Sequence, residues 1–106
     1  MKENRMGNVA KRNIPKKYQS DIEAAVSMLK SEGCSSIYLF GSLVTGDYHE
    51  NSDIDLGITG LAPNLYFRTC SKLSNILQNQ FDLVDFDLNP EFLILLKKID
   101  EIIQIG

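Results

Sequence analysis

Apolar residues recur along this chain with two different periods. Between residues 16 and 32, Ile22, Ala25, Val26 and Leu29 keep the three-to-four spacing of a helix face. That helix opens at Lys16, directly behind Pro15, or at Ser20, where Ser20 and Glu23 have capping-box spacing, and Gly33 is suited to end it. Ser36 to Phe40 is a short run of strand formers closed by Gly41. Ser42 to Gly46 leaves room for one helical turn, and Asp47 to Ser52 is a polar loop. Asp53 to Thr59 alternates strictly and predicts a strand with Ile54, Leu56 and Ile58 on its buried side. Leu65, Thr69, Leu73, Ile76 and Leu77 predict a second helix over residues 64–79, and Phe81 to Leu88 a third strand. Asn89-Pro90-Glu91 is a helix start, with Asn as the cap and Pro in the first position. Phe92, Leu95, Leu96 and Ile99 give that helix its apolar stripe, and Ile102 to Ile105 predicts a last short strand.

Strands thus alternate with helices. The pattern predicts an α/β (α+β) fold with a small mixed sheet of three to four strands flanked by helices, each helix stripe facing the core. The 106 residues suffice for one modest core and leave no room for a separate recognition domain. Charge divides the chain. Lys2, Arg5, Lys11, Arg12, Lys16 and Lys17 are six of its eleven basic residues, while the net charge is −3. Residues 1–15 therefore read as a basic, flexible tail and 16–106 as a single domain. The acidic body argues against stable nucleic-acid binding. Two separated cysteines, Cys34 and Cys70, form no metal or redox motif and read as reduced thiols. No apolar run reaches the ~20 residues of a membrane span, so a cytoplasmic protein without membrane contact is expected. The single histidine, His49, falls in a polar loop.

The chemistry lies in the strands. Asp53 and Asp55 are two residues apart, so on a strand they share a face, about 6–7 Å apart. Paired hard oxygens of this kind suit Mg²⁺. Gly41-Ser42 follows a strand, where backbone N–H groups and a hydroxyl can meet a phosphate without an intervening Cβ. Either feature alone is weak. Together they read G-S-x₁₀-D-x-D, a joint pattern that arises by chance in roughly 3 in 1,000 chains of this composition.

The segment Leu39-Phe40-Gly41-Ser42 through Ser52-Asp53-Ile54-Asp55-Leu56 resembles the polymerase-beta-like nucleotidyltransferase superfamily. With the chain's length and its FDLVDFDL segment, it is similar to the smallest members, the minimal nucleotidyltransferases (MNT) that partner HEPN proteins. The resemblance implies a nucleotidyltransferase fold and a metal-dependent enzyme carrying two Mg²⁺ ions on Asp53, Asp55 and a third acid. Gly41 and Ser42 would hold the phosphates of a nucleoside triphosphate. Residues Asp82, Asp85 and Asp87 compete for the third place. Strand parity puts Asp82 on one face and the other two on the opposite face, and the family's pattern maps onto Asp82, with Asp85 next. The losers are expected to be solvated surface acids. The resemblance further implies transfer of AMP from ATP to a hydroxyl of a HEPN-type toxin, as its antitoxin. The alternative is a binding module that neutralises a partner by complex formation alone. One departure favours that alternative: many relatives carry arginine directly after Gly-Ser, and this chain has Leu43. Oligomeric state is left open.

Overall fold

The computed structural model describes residues 14–106; all but the end of the expected basic tail lies outside the described residues. Helix α1 (Lys16–Ser31) is followed by strand β1 (Ser36–Phe40), the four-residue helix α2 (Ser42–Thr45) and strand β2 (Ile54–Thr59). A 3-10 turn (Pro63–Leu65) leads into α3 (Tyr66–Ile76), then β3 (Phe81–Asp85), α4 (Pro90–Lys98) and β4 (Ile102–Gln104). The sheet order is β3-β2-β1-β4. β1 pairs antiparallel with β2 and β4, while β2 and β3 run parallel. This is the small mixed sheet that the alternating pattern predicts.

Strand parity separates the two faces. Ile37 and Leu39 of β1, and Ile54, Leu56 and Ile58 of β2, are fully buried on one face. Against them lie Tyr18, Ile22, Ala25 and Leu29, a single stripe of α1, with Leu73 of α3. Glu32 ties the two helices together: it accepts a hydrogen bond from Lys72 at 2.8 Å, and this contact leads in holding its carboxyl below the usual range. The opposite face carries a smaller aromatic group, Tyr38, Phe40 and Phe86, beneath Leu96 of α4. Phe86 lies on Gly57, where a Cβ would come within 2.0 Å of the ring.

Several boundaries differ from expectation. Of the two expected starts of α1 the one at Lys16 behind Pro15 is taken, so the capping box of the other does not form and Ser20 lies inside the helix. The third strand stops at Asp85, because the chain turns there and Phe86 drops onto Gly57. Asn89 makes no side-chain cap to α4; its amide donates instead to the Asp85 carbonyl at 3.0 Å. The apolar stripe of α4 is not core. Of that helix only Leu96 is buried; Phe92 packs on Phe40 and Phe86 at the margin, and Leu95 and Ile99 are left about half exposed. No helix among the described residues is long and apolar enough to cross a membrane.

Two side chains on the first turns of α1 fix where the central strands begin. The Tyr18 hydroxyl donates to the Ser52 carbonyl at 3.0 Å, just before β2. One turn on, the buried Asp21 carboxylate accepts the backbone N–H groups of Gln78 and Asn79 at 3.0 and 2.8 Å, just before β3. The Asn79 side-chain amide adds a third bond at 3.0 Å. The two strand starts are then joined by Ile54 N–H donating to the Gln80 carbonyl at 2.9 Å. At the outer edge of the sheet, the Tyr66 hydroxyl donates to the Leu83 carbonyl.

Asp21→Ala leaves these donors without their acceptor. It is expected to lower stability by roughly 1–3 kcal/mol, read as a lower urea midpoint at unchanged slope.

Candidate active site

The site begins where β1 ends. Gly41 has φ +80°, in the left-handed region, and a Cβ there would sit 2.1 Å from Oδ2 of Asp55. Both facts demand glycine: the backbone conformation disfavours any side chain, and the carboxylate of the neighbouring strand fills the space. The Gly41 carbonyl then accepts the N–H groups of Val44 and Thr45 at 3.0 and 3.1 Å, which makes the turn of α2. At the start of any helix the first N–H groups have no acceptor within it, and here these are the N–H groups of Ser42 and Leu43, next to the Gly41–Asp55 contact. Leu43 and Val44 are buried and anchor the turn in the core. Leu43, which stands where many relatives carry arginine, therefore serves packing and brings no charge.

β2 delivers the acids. Asp55 is in register with Phe40 on β1 and with Asp82 on β3. Directly paired residues of neighbouring strands share a face, so Phe40, Asp55 and Asp82 form one row across three strands. Asp53 stands two residues before Asp55, immediately ahead of the strand. Burial pushes the Asp55 carboxyl up to about 6, reinforced by the charges of Asp82 and then Asp53. The three acids named from the sequence thus act on one another at one sheet end. A cleft of about 460 Å³ opens beside them, with Phe40, Asp55, Asp82, Val84 and Phe92 among its walls and Tyr66 and Cys70 closing it from α3.

Asp85 goes elsewhere. It is only 5% exposed and belongs to the opposite face; its Oδ1 accepts the Asp87 N–H at 3.0 Å. Asp87 accepts the Gly60 N–H at 2.7 Å. Both acids hold the turn after β3, so the expectation that Asp85 is a solvated surface acid is corrected: the turn needs its carboxylate as an acceptor. Phe40 and Phe92 are among the cleft residues that motif reading missed, together with Val84, Tyr66 and Cys70. Phe40 could have been found by parity, as the residue preceding Gly41; Phe92 required knowing where α4 folds back.

Hard carboxylate oxygens under mutual repulsion have the donor chemistry for Mg²⁺. Among the described residues, no group of three or more His, Cys, Asp or Glu side chains forms a ready-made metal cage. Mg²⁺ is commonly held by one or two carboxylates together with substrate phosphates. The arrangement therefore fits a metal that arrives with a phosphate ligand better than one resident alone.

The family profile described as polymerase beta, nucleotidyltransferase matches residues 23–104. Among solved structures, the chain is similar to a toxin–antitoxin crystallised with AMP-PNP, at 25% identity and a TM-score of 0.62, over 87% of this chain and 73% of that one. It is similar in fold to the toxin–antitoxin MntA-HepT, at 22% identity and a TM-score of 0.59, over 83% of this chain and 71% of that one. No curated protein matches it.

The Asp55 environment sets a pH dependence. Its carboxyl is raised from 3.8 to about 6, so between those values the folded chain holds the proton more tightly than the unfolded chain. Stability contributed by the protonated acid is present below about pH 4 and lost as pH rises through about 6. Asp55→Asn is expected to raise the Tm over wild type most at pH 7–8 and not at all below about pH 4. A variant less stable than wild type at pH 8 would show that the carboxylate holds the fold together.

Proposed function

The chain belongs to the polymerase beta nucleotidyltransferase family as a minimal nucleotidyltransferase, and on that premise we propose that it transfers AMP from ATP to a hydroxyl of a HEPN-type toxin, acting as a cytoplasmic antitoxin. The observation that carries this is the row in which Asp55 faces Asp82 across parallel strands, with Gly41 pressed against Asp55. The likeness to a toxin–antitoxin crystallised with AMP-PNP supports the choice of nucleotide and partner.

The residues take distinct parts. Ser42, through its N–H and hydroxyl, holds the β- and γ-phosphates, and glycine at 41 lets them approach the backbone closely. Asp53 and Asp55 hold the metal-borne end of the triphosphate, and Asp82 completes the set on the acceptor side. When bound, a pair of Mg²⁺ ions supplies charge neutralisation for the phosphates and acidifies the acceptor hydroxyl. Asp82 receives the hydroxyl proton as the oxygen bonds to the α-phosphorus. The bond from the α-phosphorus to the bridging oxygen breaks, and pyrophosphate departs with the electron pair. The chain's contribution is alignment and a fixed negative frame. The sheet's open cleft leaves space for a protein-borne hydroxyl.

A second reading is a binding module that neutralises the toxin by complex formation alone. It is favoured by buried Leu43 at the position of the family's arginine.

Transfer of labelled AMP from ATP to the HEPN protein separates the two. Labelling that requires Mg²⁺ and vanishes in Asp53→Asn and Asp55→Asn supports the enzyme; toxin neutralised by those variants without labelling supports the module. Within the enzyme reading, Asp82→Ala is expected to cost at least ~10²-fold in rate at unchanged Tm. Asp85→Ala is expected instead to lower the Tm, since it removes the acceptor of the turn after β3. A rate loss confined to Asp85→Ala would move the third acid to the other face.

A further inference from the structure

The face of α4 that points away from the sheet has an internal symmetry. Leu96 is buried, and Leu93 and Phe92 pack on the same aromatic group. At 100° per residue, the stripe directly opposite them is Glu91, Ile94, Leu95 and Lys98. Ile94 and Leu95 are 58% and 51% exposed, and both charged residues are exposed. The midpoint of the stripe falls between Ile94 and Leu95. Glu91 and Lys98 stand at equal distances on either side of it, about 5 Å along the axis. Ile99, also exposed and one turn beyond Leu95, extends the apolar surface at the C-terminal end.

A two-fold axis through that midpoint, perpendicular to the helix, carries the stripe onto its own complement. Glu91 then lies opposite Lys98 of a second copy, twice over, and the Ile94–Leu95 pair meets the same pair. We propose that α4 is a homodimer interface, in which two copies of this chain pair antiparallel along Glu91, Ile94, Leu95 and Lys98. Charge complementarity argues for this occupant: in the antiparallel arrangement each acid of one copy faces a base of the other while the exposed apolar pairs meet. Such an interface is isologous, the same patch on both subunits. The acid sits at the helix N-terminus and the base at the C-terminus, so each charge also suits its own helix dipole. The helix has nine residues and is about 13 Å long, so the contact is smaller than a standard stable interface and belongs with weak, transient ones. The dimer is therefore concentration-dependent.

Sedimentation velocity of the full chain over a concentration series tests this, with thermal melting of each variant as the check on folding. Wild type is expected to shift from monomer to dimer. Glu91→Lys and Lys98→Glu each set like charges opposite one another twice per dimer and are expected to weaken association about tenfold. The double variant, Glu91→Lys with Lys98→Glu, restores opposite pairs and is expected to regain it. Leu95→Asp, at an exposed position, is expected to abolish dimerisation while keeping a cooperative melt. A wild type that stays monomeric at the highest concentration overturns the proposal, as does one whose Leu95→Asp variant still dimerises. A double variant as weak as the single ones also overturns it. If wild type is monomeric and Leu95→Asp instead loses binding to a HEPN protein, the face belongs to that partner and the homodimer is excluded. None of these readouts involves nucleotide, so they stand or fall apart from the transferase reading.

Discussion

Asp55 and Asp82 face each other on paired parallel strands, with Asp53 close behind, and like charges so placed push apart. The rest of the domain is organised against that repulsion. Three isoleucine and leucine side chains of β2 sit in the core with no solvent exposure, so the strand cannot rotate its acids away without exposing Ile54, Leu56 and Ile58. The same parity that buries one set of side chains presents the other. α1 adds a second restraint: Tyr18 holds the residue before Asp53, and Asp21 holds the turn that leads to Asp82. Both are bonds from one helix to the starts of two strands, so the spacing of the acids is set by a helix that contributes none of them.

The second face of the sheet is divided. Tyr38, Phe40 and Phe86 pack edge to face or tilted beneath α4, with the Phe86 ring centroid 5.7 Å from that of Tyr38 and 5.8 Å from that of Phe40. Tyr38 and Phe86 fill the part of the face away from the acids, and the cleft opens at the acids' end. Phe40 belongs to both regions: it packs against Phe86 and Phe92 and lines the cleft beside Asp55. An apolar wall beside paired carboxylates lowers the local polarity, and burial is the leading cause of the raised Asp55 carboxyl. The same wall would strengthen any attraction between these acids and a cation.

Much of the fold was legible because strands of alternating residues have a simple code. Ile54, Leu56 and Ile58 announce the buried side of β2, and parity sets Asp82 apart from Asp85 and Asp87, while only the family's pattern pointed to Asp82 as the partner of Asp53 and Asp55. The register that brings Asp55 opposite Asp82 was not legible, since it depends on hydrogen bonds from Tyr18 and Asp21 to residues 34 and 58 positions away. Nor was the steric need for glycine at 41, which follows from a carboxylate on another strand. The misreadings have physical reasons. Between the two starts offered for α1, the capping-box spacing of Ser20 and Glu23 loses to Pro15, which starts the helix a turn earlier. Helical periodicity says that one side of α4 is apolar; it does not say what covers that side. Asp85 resembles a surface acid until the turn after β3 supplies it with an N–H.

The Tyr66 hydroxyl on the Leu83 carbonyl bears on how other proteins can approach. β3 is an edge of the sheet. In a parallel ladder alternate residues bond inward, and the bonds from Ile54 to Gln80 and from Phe86 to Ile58 leave the backbone groups of Phe81, Leu83 and Asp85 pointing outward. Such a row is a template on which a foreign strand could grow. Here the Leu83 carbonyl is occupied by Tyr66 and the Asp85 carbonyl by Asn89. The edge beside the carboxylates is thereby blunted against strand addition and the stacking of sheets that leads to aggregation. Recognition at this end of the molecule falls to side chains and helices.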